Sequence, residues 1–231
     1  MFPLKDENPT RRRPILTYSL IIINVAIFVG TLLTGTFDQV NQEFGMKPAE
    51  VLVGQNLRTL FTSMFLHGGI LHILFNMWYL WIFGDNIEDV LGRGKFILFY
   101  FGTGLAASFV HAFSVAGTPS AAIPTIGASG AIAGVLGAYM LLYPWARVRT
   151  AIIFFYIIHL VMVPAALMIG FWFVLQVISA SVLWAAGATA GVAYWAHIGG
   201  FIAGVLLILP VWRKLRKRGR YVYTIRYGPL R

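Results

Sequence analysis

Four polar side chains sit inside long apolar runs and are of types that do acyl chemistry together. They are Ser129 in TIGASGAIAGVLGAY (125–139), His197 in AYWAHIGGFIAG (193–204), and His72 and Asn76 in LHILFNMW (71–78). A serine hydroxyl is a poor nucleophile until a base removes its proton, and histidine is the usual base. A serine at a helix start also lies beside backbone N–H groups that have no carbonyl partner, and these can stabilise an oxyanion. His72 and Asn76, one turn apart on one helix face, can add side-chain donors. The usual third member, an acid that orients the histidine, is missing. The last acidic residue of the chain is Asp89, in a polar turn far from both runs. Serine catalysis here is therefore expected from a Ser129–His197 dyad.

These groups need elements to hold them. Of the 231 residues, 58% are hydrophobic and 11% charged, less than half the charge of a soluble domain, about 25%. The expectation is an all-α membrane protein with six transmembrane helices. The spans are read at 15–33, 69–84, 96–113, 128–142, 164–179 and 191–209. A tail of 1–14, rich in proline, is expected to be mobile. A long loop covers 34–66, the stretch 150–163 lies at the interface or against the domain, and a basic tail covers 210–231. The first run is as long as a full span and lacks a small-residue cleavage site, so it reads as a retained helix. Gly130/Gly134 and Gly200/Gly204 have the four-residue spacing that lets helices approach closely in lipid, so the fourth and sixth spans are expected to touch.

The net charge of +10 is concentrated in Arg11–Arg13 and in RKLRKRGR (213–220), each beside an apolar run. Such clusters read as topology signals and contacts to anionic headgroups rather than as a nucleic-acid surface. Six crossings put both clusters on one side, with both termini cytoplasmic. All four polar residues then fall in the outer half of the membrane, with His197 about 9 Å deep at 1.5 Å per residue. With no cysteine, disulfides and thiol catalysis are excluded. A metal site is a poor reading, since no HExxH occurs and asparagine is a weak zinc ligand. No cofactor is expected.

Polar groups inside a membrane are functional suspects, but the residues alone leave alternatives. Ser129 can be helix-packing polarity and His197 a hydrogen-bonded or proton-relay group. A transporter or channel path would place polar groups in both halves of the membrane, and the inner half has almost none. A protein that binds membrane clients without cutting them is the other alternative.

GASG with AHIGG and HILFN, in this order and on these spans, resembles the rhomboid intramembrane serine proteases, of the prokaryotic six-span type. The resemblance runs from Ile15 to Leu209. It implies Ser129 as nucleophile and His197 as general base. It implies an oxyanion hole from the Ser129 backbone N–H, His72 and Asn76, with Gly127 beside them. The implied reaction is hydrolysis of a peptide bond in or near the transmembrane helix of a single-span substrate, in a prokaryotic plasma membrane. Two positions depart from the family pattern. Leu57-Arg58 stands where many members have Trp-Arg. Ala133 stands where some place an aromatic stacked on the histidine, so His197 must be oriented by other neighbours. His67, His111 and His159 look non-catalytic.

Overall fold

The structure is a computed structural model that describes residues 2–155, 157–186 and 191–217. The chain begins with a strand, β1 (Phe2–Asp6), followed by α1 (Ile15–Leu33). The first loop carries three short helices, α2 (Phe37–Phe44), α3 (Pro48–Leu52) and α4 (Thr59–Thr62). Then come α5 (Ile70–Leu91), α6 (Arg93–Ser114) and α7 (Ser129–Leu142). A hairpin of β2 (Arg147–Phe154) and β3 (Ile157–Pro164) leads into α8 (Ala165–Ala185) and α9 (Tyr194–Lys217).

Among the described residues, α1, α6, α8 and α9 are each long and apolar enough to cross a membrane. A fifth span results when Thr59–Phe65 is joined to α5 across a 94° bend. The remaining helix, α7, has 14 residues, about 21 Å at 1.5 Å per residue. That is short for a hydrocarbon core of about 30 Å. Its length need not match lipid because protein surrounds it: 11 of its residues are buried. α9, α6 and α5 pack around it. The approach of α7 and α9 depends on glycine. A Cβ on Gly200 would run into the Gly130 carbonyl, and one on Gly204 into the Gly134 carbonyl. In lipid, where apolar surfaces have no drive to associate, such close contact supplies the packing that holds helices together.

Three features differ from the reading of the sequence. Residues 2–6, expected within a mobile tail, form β1, antiparallel to β2 with Phe2 opposite Ala151 and Asp6 opposite Val148. Residues 150–154 and 157–163 lie within the two strands of the hairpin, paired from Arg147–Pro164 to Phe154–Ile157. The sheet order is β1-β2-β3, an addition to an otherwise helical bundle. Third, the polar turn expected at 85–95 is helical except at Gly92, whose φ of 72° makes the reversal. Acidic residues remain in the last turns of α5 because they cap a neighbour. Glu88 accepts the Leu16 N–H at 3.0 Å, the Thr17 N–H at 2.8 Å and the Thr17 hydroxyl at 2.8 Å. The two N–H groups are first-turn donors of α1 with no carbonyl of their own.

Candidate active site

The site is built at the start of α7. Gly127 has φ of +129°, and a Cβ there would stand 2.8 Å from His72 Nε2. Conformation and space both call for glycine. Its N–H donates to the Ser63 carbonyl at 2.9 Å, tying the turn to the first loop. Two residues later Ser129 opens the helix. The first α7 N–H groups have no carbonyl one turn back to receive them.

His197 lies in the first turn of α9. The glycine seam brings this turn against the start of α7, and His197 Nε2 stands 2.8 Å from Ser129 Oγ. His197 Nδ1 lies 2.8 Å from Oε1 of Gln176, in α8. The amide oxygen only accepts, so Nδ1 carries the proton and Nε2 offers its lone pair to the serine hydroxyl. That is the tautomer a general base requires. The imidazole also lies against Trp172 of α8, ring centroids 5.8 Å apart at 37°, and meets Tyr194 edge-on at 6.5 Å. The aromatic neighbour absent at Ala133 thus comes from α8.

Gln176 and Trp172 escaped the reading of the sequence. A third member sought only among carboxylates leaves a dyad, since the last acidic residue is Asp89. The available signal was a buried amide in the fifth span, since a polar side chain in a membrane helix needs a partner. Here that partner is His197.

His72 and Asn76 flank the serine from α5. His72 Nδ1 accepts the Gly68 N–H at 3.2 Å, so Nε2 is the protonated nitrogen, and it points at Gly127. Asn76 Nδ2 donates one hydrogen to the His72 carbonyl at 2.8 Å and keeps a second. Asn76 Oδ1 is buried without a partner. The structure therefore brings all four predicted side chains and Gly127 around one cleft of about 710 Å³. Its walls include Phe75 and Tyr79 of α5 and Trp172 of α8, and Phe2 of β1 also reaches it. His67 packs edge-on against His72 at 5.0 Å, and His159 lies on β3. Among the described residues no group of three or more His, Asp or Glu side chains could hold a metal ion.

Residues 54–214 match the family described as the Rhomboid domain. Rhomboid protease GluP of Bacillus subtilis (strain 168) is 34% identical over 130 residues, covering 55% of this chain and 24% of that protein. Rhomboid protein 1, mitochondrial, of Saccharomyces cerevisiae is 29% identical over 196 residues, 83% of this chain and 51% of that one. RHOMBOID-like protein 6, mitochondrial, of Arabidopsis thaliana is 28% identical over 181 residues, 74% and 52% of the respective chains. The chain spans from about a quarter to about half of the length of these relatives. The matched segment covers more than half of the chain and takes in Ser129, His197, Gln176, His72 and Asn76. An integral membrane protein with these apolar helices and this segment belongs to the rhomboid family.

Proposed function

We propose that the chain is an intramembrane serine endopeptidase that hydrolyses peptide bonds in or near the transmembrane helices of single-span membrane proteins. The observation that carries this is the 2.8 Å approach of His197 Nε2 to Ser129 Oγ, between side chains 68 residues apart, inside a cleft. Family membership supports it, and GluP is named as a rhomboid protease.

The steps follow from the donors and acceptors. Ser129 Oγ bonds to the scissile carbonyl carbon as His197 Nε2 takes its proton. The carbonyl oxygen becomes an oxyanion, met by the Ser129 N–H, His72 Nε2–H and the second Asn76 N–H. Gln176 holds the Nδ1 proton and stabilises the imidazolium. Collapse breaks the C–N bond, and the imidazolium proton goes to the leaving amine. The acyl-serine is then opened by water, whose proton passes to His197 Nε2. A second collapse returns that proton to Ser129 Oγ and frees the carboxylate.

The same proposal includes six crossings with both termini cytoplasmic, and anionic headgroups at the basic flanks. It places the chain in a prokaryotic plasma membrane; the mitochondrial relatives extend the range to membranes of that organelle. The test is reaction of the detergent-purified chain with a serine-directed fluorophosphonate, together with cleavage of a panel of single-span proteins. Labelling and cleavage are expected for the native chain, and neither for Ser129→Ala or His197→Ala. The double variant should be no worse than either, because the pair acts as a unit. Robust cleavage by Ser129→Ala would sink the mechanism.

A further inference from the structure

The catalytic cleft has one wall that does not come from the helical bundle. Phe2 reaches it from β1 and shares it with Ser129 and His197. β1 lies outside the segment that matches the Rhomboid domain, and it is anchored along its length. Asp6, buried, accepts the Tyr139 hydroxyl at 2.7 Å and the Asn86 side-chain N–H at 3.0 Å. The Pro3 carbonyl accepts the Trp78 indole N–H at 2.7 Å. Phe2 stacks on Trp78, centroids 5.6 Å apart, and meets Phe75 edge-on at 5.8 Å. β2 pairs along the opposite edge of the strand.

The distances fit a strand climbing the face of α5. From Asp6 to Phe2 is about 13 Å at 3.3 Å per strand residue. From Asn86 to Phe75 is about 16 Å at 1.5 Å per helical residue. Phe2 therefore ends beside Phe75, next in sequence to Asn76. Burying a carboxylate is costly unless it is hydrogen-bonded, and here its bonds hold β1 in a single register. Beyond β1 the sheet continues through β2 and β3 to α8, so it bridges α5 and α8.

We propose that Phe2 is a specificity-determining residue, forming the inner wall of the substrate cleft and limiting the bulk of the client's apolar side chain that lodges there. This rests on the protease reading for its chemistry, but contact between Phe2 and a bound client does not require cleavage. A pocket wall of this kind discriminates apolar side chains by contact and clash, by about 10- to 200-fold per methylene-scale mismatch.

Two experiments separate the wall from the chemistry. First, a single-span client is varied from Ala through Leu to Trp at successive positions around its cut, and kcat/KM is measured for the native chain, Phe2→Ala and Phe2→Trp. At one client position the preference should move about tenfold toward bulky side chains in Phe2→Ala, and in the opposite direction in Phe2→Trp. Fluorophosphonate reaction at Ser129 checks that each variant is folded. Unchanged preferences at every position, or an equal fall for all clients, would overturn the proposal. Second, because the chain has no cysteine, Phe2→Cys in a Ser129→Ala background can be oxidised against a client carrying one cysteine at successive positions. Crosslinking should peak at the same client position. Crosslinks to Phe75→Cys with none to Phe2→Cys would overturn the wall even if the native chain cleaves. Failure of native labelling and cleavage, with the Phe2→Cys crosslink intact, would overturn the protease reading and leave the wall.

Discussion

The two helices that flank His197 are held in different ways. α7 buries 11 of 14 residues and meets α9 backbone to backbone through glycines, whereas α8 buries 5 of 21. Ser129 and His197 are thus placed by the tight side. The ring of His197 is oriented by the loose side, through Gln176 and Trp172. Position and orientation of His197 are separate structural problems, and they can be broken separately.

After the complete loss expected of Ser129→Ala and His197→Ala, the largest effect lies with the proposed oxyanion donors fixed against the tight side. His72→Ala and Asn76→Ala should each lower turnover by about 10²–10³, roughly 3–4 kcal/mol, with KM nearly unchanged, because an oxyanion donor acts mainly in the transition state. Native turnover with reduced thermal stability would instead make these residues polar links between helices.

The packing contrast is tested without touching the site. Gly204→Ala forces a methyl group into the Gly134 carbonyl, and overpacking of this kind costs about 1–3 kcal/mol. Gly170→Ala on α8 has nothing within 4 Å of its new Cβ and should be neutral or slightly stabilising. Thermal unfolding in detergent should rank them so. Equal losses would mean that α8 is packed as tightly as α7.

Gln176 sharpens the contrast further. Gln176→Leu should lower turnover about tenfold, the worth of one hydrogen bond of about 1.4 kcal/mol, and should leave the unfolding temperature close to native. A KM effect with unchanged kcat would assign Gln176 to substrate binding instead of to positioning His197.

The smallest effect concerns the anchor of β1. Burial pushes the Asp6 carboxyl up to about 6, partly offset by the bonds from Tyr139, Asn8 and Asn86. Asp85 of α5 and Tyr143 beyond α7 also face it. The docked strand then favours the protonated acid, relative to an undocked strand with an ordinary carboxyl. Docking is strongest below about 3.8 and weakens as pH rises through about 6. Divided by the rate of a free model thiol at the same pH, which removes the rise in thiolate, alkylation of Phe2→Cys should accordingly be faster at pH 8 than at pH 5, and Asp6→Asn should flatten that ratio. A pH-independent ratio with Asp6 intact would show that the carboxyl does not titrate in the docked strand.

Much of the bundle is legible in the sequence. The apolar run of α1 has the same ends, Ile15 and Leu33, in sequence and structure, because hydropathy sums over neighbours. The small residues at Gly130, Gly134, Gly200 and Gly204 anticipate the contact of α7 with α9, since only glycine permits that approach. Elsewhere hydropathy misleads. Glu88 lowers the apolarity of α5, yet it belongs to the helix because its carboxylate caps α1, 71 residues away in sequence. The hairpin reads as an undivided apolar stretch, and strand pairing is not a property of composition.

The sequence by itself determined a greasy helical chain, the polar residues inside it, and the glycines that let two helices meet. These follow from local properties: transfer free energy per residue, helical period, and the space a side chain takes. Only the tertiary structure decided that the third partner of the histidine is an amide on α8, that β1 climbs α5 beside the cleft, and that Phe2 ends there. Those outcomes depend on which donor meets which acceptor across 21, 80 or 133 residues of chain. In the membrane a buried polar group takes whichever partner the packed helices bring within reach, and no local pattern names that partner in advance.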